Sequence, residues 1–290
     1  MTPAYVVQIT TPKHYILNGL WFGPKKPKRA IIFIHGLTAS AFSMSRLIKE
    51  LVGPETAVIT FNNRGFEQVG EVKRKRRGET QWIRSGAGHE VFTESADDVQ
   101  GAINLVKRAK VKEIYLAGHS TGAQKAYYWA YKNRREKGVK GIFLLGPLSD
   151  YACAVEEDRN GRLKRSVAYA RKLVRSGKPH GLMPKELGPW FVCDAQRFLS
   201  LYTPNSVEEI FTYIQPNKIS RIVRSVTTPT AVFLAGAEEH TKRPAREIAA
   251  WFQKHLKPED EVVIIPRVGH SFRGGEKKIA KVVRGFMKEG

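Results

Sequence analysis

Short runs of apolar and β-branched residues recur along this chain, and most are followed by a stretch with helical spacing. The runs are Ala30–Ile34, Ala57–Phe61, Ile114–Ala117, Gly141–Gly146, Thr230–Leu234 and Glu261–Ile265. A strand with no polar alternation is buried on both faces, the condition of a central strand in a parallel sheet. Strands that alternate with helices pair in parallel, and the helices cover both faces. The chain is therefore predicted to be an α/β protein. The expected helices are Ser43–Val52, a segment beginning near Thr93 with Val99, Ala102, Ile103 and Val106 on one side, then Lys125–Ala130, Pro244–His255 and Glu276–Met287. Thr93-Glu94-Ser95-Ala96-Asp97-Asp98 supplies a capping residue and acidic first-turn residues. Tyr5–Thr10 and His14–Phe22 alternate, and they read as a hairpin at the sheet edge.

The rhythm stops between Pro147 and Thr228. This stretch holds a basic helical pattern at Arg162–Arg175, an aromatic cluster (Trp190, Phe191, Phe198, Tyr202) and an amphipathic Val207–Ile214. It is too long for a plain connection between core strands. The expected organisation is a core of residues 1–146 and 229–290 with an inserted, mostly helical cap at 147–228.

Ligands in such sheets bind at the carboxyl ends of strands. One strand end is distinctive: Ile114–Ala117 runs into Gly118-His119-Ser120-Thr121-Gly122 and on into a helix. Strand, sharp turn and helix are the context in which a G-x-S-x-G serine is held clear of the sheet as a nucleophile. The backbone N–H of Thr121, at the helix start, is then aimed at a developing oxyanion. Three more strand ends carry candidate groups: His35-Gly36-Leu37, Gly236-Ala237-Glu238-Glu239 and Val268-Gly269-His270-Ser271-Phe272.

Serine, acid, histidine is the chain order of the α/β-hydrolase superfamily, which this chain resembles over nearly its whole length. The resemblance implies an α/β-hydrolase fold, a mostly parallel sheet with helices on both faces. His35-Gly36 is similar to the superfamily's oxyanion loop, which implies Leu37 N–H as a second donor. The longer elbow Gly118–Gln124, Pro147-Leu148-Ser149-Asp150 and Arg197-Phe198-Leu199-Ser200-Leu201 resemble the group that includes fungal siderophore-ester (fusarinine C) hydrolases. The resemblance implies Ser120 as nucleophile, His270 as base, and an acid at Glu239 or Glu238. The superfamily acid is usually Asp; here only Glu is available. The usual Gly-x-x-acid spacing favours Glu239 slightly, the narrower group's pattern favours Glu238, and Asp150 is a rival on the preceding strand. The implied activity is serine carboxylic-ester hydrolysis, with thioesterase, peptidase, acyltransferase or a non-catalytic binding protein as alternatives. No cofactor or metal is implied.

The chain carries 49 basic against 27 acidic residues, a net charge of +22. Such a charge draws anionic partners, so an anionic small-molecule ester is one expected substrate. The run Lys73–Arg77 is expected to be a solvated basic loop. No helix-turn-helix, zinc-finger or RNA-recognition signature stands beside the charge, which argues against specific nucleic-acid binding. Arg64 could meet an anionic group or fix a loop. His119 is expected to pack structurally, and the cap aromatics are expected to fill a core more than to wall a substrate. His89, His180 and His240 show no metal-ligand spacing, and Cys153 and Cys193 make no disulfide framework. Free thiols, the absence of a signal-like N-terminus and the absence of a membrane-length apolar run lead to the expectation of a cytoplasmic protein.

Overall fold

The computed structural model describes residues 3–289 apart from 216 and 219. The chain opens with β1 (Ala4–Thr10) and β2 (Tyr15–Phe22), an antiparallel hairpin. It continues through β3 (Arg29–Ile34), α1 (Ser45–Leu51), β4 (Thr56–Phe61), β5 (Gly70–Arg76), β6 (Glu79–Ser85) and a short 3-10 turn at Phe92–Glu94. Then come α2 (Ser95–Arg108), β7 (Glu113–His119), α3 (Thr121–Lys132) and β8 (Val139–Leu145). Four helices follow before the next strand: α4 (Asp150–Glu157), α5 (Arg162–Arg175), α6 (Ala195–Tyr202) and α7 (Arg221–Ser225). The chain closes with β9 (Thr230–Ala235), α8 (Ala245–His255), β10 (Glu261–Ile265) and α9 (Glu276–Glu289).

One sheet runs β10-β9-β8-β7-β3-β4-β2, with β1 and β5 also paired to β2 and β6 paired to β5. The six strands from β10 to β4 are parallel, and β2 joins them antiparallel. Alternate side chains of one strand face opposite sides. Ile32 and Ile34 of β3 lie in one core with Val99 and Ile103 of α2, Ala126 and Tyr127 of α3 and Phe252 of α8. Ile31 and Phe33 lie in the other with Leu47 and Leu51 of α1 and Ile279 and Val283 of α9. The continuous apolar runs are thus explained: each strand feeds two cores. The fold is the expected α/β-hydrolase arrangement, a mixed sheet with helices on both faces.

Two local expectations are corrected. Lys73–Arg77 is not a loop but most of β5 and the turn that follows it. Arg77 and Gly78 form a two-residue hairpin turn with φ of 50° and 85°, the sign that a twist-matched hairpin requires. The charged side chains remain outside, where Lys73 sits over the Trp82 ring and Arg74 over the Tyr15 ring. Val207–Ile214 is not helical. Its Ile210 and Phe211 are buried, but its carboxylates are spent on distant partners: Glu208 on Arg197 and Ser200, Glu209 on Ser149.

The chain between β8 and β9, which are adjacent strands, carries α4–α7. Part of it forms a small core, Ala170, Met183, Phe191, Cys193, Ala195, Phe198 and Leu201, together with Ala87 from the stretch after β6 and with Leu37 packed against it. That contact sets it over the carboxyl end of β3.

Candidate active site

The elbow is built by close approach. Ser120 follows β7 and precedes the first residue of α3, with φ 55° and ψ −126°. This is a sparsely populated conformation for a residue with a Cβ, of the kind that costs about 1–3 kcal/mol and persists where its surroundings enforce it. They do so here. Ser120 N–H donates to Leu145 O (2.9 Å) and Ser120 O accepts from Ala123 N–H (2.8 Å). A Cβ on Gly122 would stand 2.2 Å from Ile34 O, so only glycine lets α3 start against the end of β3. A Cβ on Gly36 would stand 2.8 Å from Ser120 Cβ, which places the His35-Gly36-Leu37 loop beside the serine. Thr121 opens α3, so its N–H is among the helix-start donors that have no intrahelical acceptor.

His270 follows β10 and is buried. Its Nδ1 lies 2.8 Å from Glu238 Oε2, and both side chains are at most 10% exposed. Its backbone N–H donates to Glu239 Oε2 (2.7 Å), and its carbonyl accepts from His119 Nε2–H (2.9 Å). The His119 and His240 rings each lie 4.8 Å from the His270 ring, centroid to centroid. The two glutamates therefore separate: Glu238 meets the ring and Glu239 fixes the backbone, the reverse of the order that spacing from Gly236 favoured. Asp150 is at the start of α4, 3.4 Å from Gln124 Nε2, and the ring's carboxylate position is held by Glu238.

Charge states follow from the surroundings. Burial raises the Glu238 carboxyl, but the hydrogen bond and charge of His270 and the His240 N–H outweigh it and leave it below the usual range. Burial lowers His119 to about 4, helped by His270. His35, buried beside Lys125, falls to about 3. Both are neutral at pH 7, so His119 acts as a fixed hydrogen-bond donor and His35 holds its Nδ1–H on Gly36 O (2.9 Å). Burial and the charge of Glu208 push Asp150 up to about 7.

Ser120, His270, Gly36 and Leu37 line one cavity of about 920 Å³ with His119, Gln124, Asp150, Cys153, Trp190, Phe198, Tyr202 and His240. The segment between β8 and β9 supplies much of its wall. Trp190, 73% exposed, is part of that wall and not of a core, whereas Phe191 is buried. Asp150, Glu156, Glu157 and Asp158 face the cavity together with Arg159, Arg162 and Lys242, so its charge is mixed despite the basic chain. Arg64 is a loop fixer. It is buried, it is bonded to Asp98, Glu94 and Asp97, and it stacks on Tyr15. Burial raises the thiols of Cys153 and Cys193 above their ordinary value, so neither is an activated nucleophile.

Behind the serine lies a feature that spacing did not single out. Lys125, one turn into α3 and fully buried, pairs with Glu90 (2.6 Å) and donates to Asn63 Oδ1 (3.1 Å). Glu90 also pairs with Arg197 of α6 (3.1 Å), and Arg197 pairs with Glu208. Burial raises Glu90, yet Lys125 and Arg197 outweigh it and keep it ionised. The one visible signal was a lysine just before the apolar and aromatic run Ala126–Ala130 of the helix.

Residues 79–287 match the family described as protein of unknown function, DUF1749. The chain belongs to this family. It is an α/β-hydrolase-like family, and the sheet described above agrees with that. No curated protein matches this DUF1749 chain significantly in sequence. Solved structures share its fold. The Pyrococcus furiosus esterase Pf2001 is 16% identical with a TM-score of 0.59, covering 99% of this chain and 93% of that one. Est1E from Butyrivibrio proteoclasticus, with ferulic acid bound, is 18% identical with a TM-score of 0.61, covering 98% of each chain. DcsB, in complex with its substrate analogue, is 14% identical with a TM-score of 0.68, covering 99% of each. Among the described residues no helix is long and apolar enough to cross a membrane.

Proposed function

We propose that this DUF1749 chain is a serine hydrolase that cleaves carboxylic esters through an acyl-enzyme. The observation that carries the reading is the Glu238 carboxylate 2.8 Å from His270 Nδ1, at a cavity that His270 shares with a serine on a strained elbow. Glu238 holds the ring with Nδ1 protonated, which leaves Nε2 as the base. Nε2 takes the Ser120 hydroxyl proton as Oγ bonds to the ester carbonyl carbon. The oxyanion is received by the N–H groups of Leu37 and Thr121, where one such donor is worth about 3 kcal/mol in related sites. Collapse breaks the bond to the alkoxy oxygen, which leaves as the alcohol with the proton from Nε2. Water, deprotonated by the same nitrogen, then releases the acid and regenerates Ser120. His119 serves as a positioning residue through the His270 carbonyl. The segment 147–228 acts as a cap that selects substrate, because its side chains form much of the cavity wall.

Esterases share the fold, and one of them binds ferulic acid. Trp190, Phe198 and Tyr202 on the wall fit an aromatic or long apolar acyl group as well as a short one. The test is turnover of nitrophenyl esters together with labelling by a fluorophosphonate, followed by a panel of acyl, feruloyl and siderophore esters. Ser120→Ala is expected to lose label and to fall more than about a thousandfold in rate while keeping its fold. Residual turnover above that level would remove Ser120 from the mechanism.

A further inference from the structure

Outside the cavity, three segments distant in sequence bring together His89, His180 and Asp194. His89 lies between β6 and the 3-10 turn, His180 follows α5, and Asp194 is the N-cap of α6. Asp194 Oδ2 lies 3.1 Å from His89 Nδ1 and 2.9 Å from His180 Nδ1, and the three ligand atoms all fall within 4.8 Å of one another. We propose that these residues bind a divalent transition-metal ion of the zinc class through His89 Nδ1, His180 Nδ1 and Asp194 Oδ2.

The donor set is the first reason. Two imidazoles and one carboxylate suit zinc and its borderline neighbours, whereas magnesium and calcium take oxygen shells. Geometry is the second. Bonds of about 2.0–2.2 Å at tetrahedral angles place ligand atoms about 3.3–3.6 Å apart. The 3.1 and 2.9 Å separations need an expansion of about 0.2–0.7 Å, and an ion shares its charge among groups that otherwise crowd one oxygen. The framework is the third. Backbone bonds tie the three segments together without the side chains: Asp194 N–H to Gly88 O, Ala195 N–H to Gly181 O and Gln196 N–H to Pro179 O, each 2.9 Å. Supporting contacts are also present. Asp194 Oδ1 accepts from Arg197 N–H (2.8 Å), which orients the carboxylate, and Gln196 Nε2 donates to Glu90 O (3.0 Å). Asp194 is fully buried and the His89 side chain nearly so, while the His180 side chain is 62% exposed. The ion enters on the His180 side, which also leaves a fourth position for water.

None of the three residues lines the catalytic cavity. The site is structural: it clamps the α5–α6 connection to the stretch that carries Glu90, the partner of Lys125 and Arg197.

The test uses the full chain stripped with a chelator, then titrated with cobalt(II) and zinc(II). One equivalent of cobalt is expected to bind with the visible absorption of a four-coordinate ion and to be displaced by zinc. Zinc at a hundredfold excess over its Kd is expected to raise Tm by about 5 °C. His180→Ala, at an exposed position and checked by circular dichroism, should weaken binding more than about a hundredfold, beyond the usual effect of a supporting residue. His180→Cys should restore it. His240→Ala, which removes a histidine beside His270, should bind as the parent does. Absence of saturable binding in the parent, equal binding in His180→Ala, or loss in His240→Ala would each overturn the proposal, the last by moving the ion to the cavity.

Discussion

Glu238→Gln and Glu239→Gln are adjacent, isosteric changes whose effects the geometry separates. In the mechanism proposed above His270 carries a positive charge in the transition state, and Glu238 Oε2 lies 2.8 Å from its Nδ1. Unit charges at that distance attract by about 6 kcal/mol at an effective dielectric of about 20. Both side chains are at most 10% exposed, so solvent screening takes little from this. Each 1.36 kcal/mol is a factor of ten. Total loss of the charge therefore corresponds to a fall of about ten-thousandfold, and the retained amide oxygen, which can still accept from Nδ1–H, makes about a thousandfold the lower bound. The fall should appear in kcat with little change in KM, because the charge is needed only once the imidazolium forms. Glu239 is exposed and, among the described residues, accepts a backbone N–H, which the amide oxygen of glutamine can also accept. Its replacement should cost less than about tenfold, with a loss of at most ~1 kcal/mol in stability. Steady-state kinetics on one nitrophenyl ester, with denaturant unfolding beside it, measures both. Equal losses for the two variants, or a larger loss for Asp150→Asn than for Glu238→Gln, would refute the reasoning.

Lys125→Met leaves Glu90 with one cation in a buried site, and the expected loss in unfolding free energy is about 3–5 kcal/mol by chemical denaturation. Burial pushes Glu209 up to about 8 against a hydrogen bond from Ser149 that acts the other way. The folded state thus keeps a proton that the unfolded chain releases above its ordinary carboxyl pKa. This contribution is full at acid pH and is lost as pH rises toward 8, at about 1.4 kcal/mol per pH unit, so Glu209→Gln should remove that slope between pH 5 and 8. Reversing Arg162, Lys164, Arg165, Arg171, Lys172 and Arg175 should slow turnover of an anionic ester more than a neutral one at low salt. Only Arg162 of these lines the cavity, and it donates to Glu186 O and Gly188 O, so the effect should be a long-range field that salt abolishes.

Much of the fold was legible because β3, β4, β7, β8 and β9 are buried on both faces, and a chain can meet that demand only with apolar residues. The β5–β6 hairpin was not legible for the converse reason. Of β5, only Val72 is buried, so alternation never rises above the charge of Lys73–Arg77. Val207–Ile214 has helical spacing, yet the fates of Glu208 and Glu209 are decided by Arg197 and Ser149, which no local pattern carries. At the site, Ser120 and His270 were legible because each ends a recognisable strand or turn. The choice between Glu238 and Glu239 was not, since a loop can turn either neighbour toward the ring. His89 and Asp194 are 105 positions apart, and no spacing rule joins them.

The ion chain Lys125–Glu90–Arg197–Glu208 bears on how this protein can be rebuilt. Two of its charges sit on elements that precede β8 and two on the chain that follows it. The segment between β8 and β9 is therefore not an interchangeable module. A graft that omitted Arg197 alone would leave the carboxylates of Glu90 and Glu208 with one cation, Lys125, among them behind α3, and one that omitted Glu208 as well would take from Glu90 one of its two cation partners. Substitution of cavity residues one by one, at Trp190, Phe198 or Tyr202, leaves this electrostatic seam whole. Directed changes to the cavity of this chain should proceed by that route, with exchange of the entire segment succeeding only when Lys125 and Glu90 are redesigned together with it.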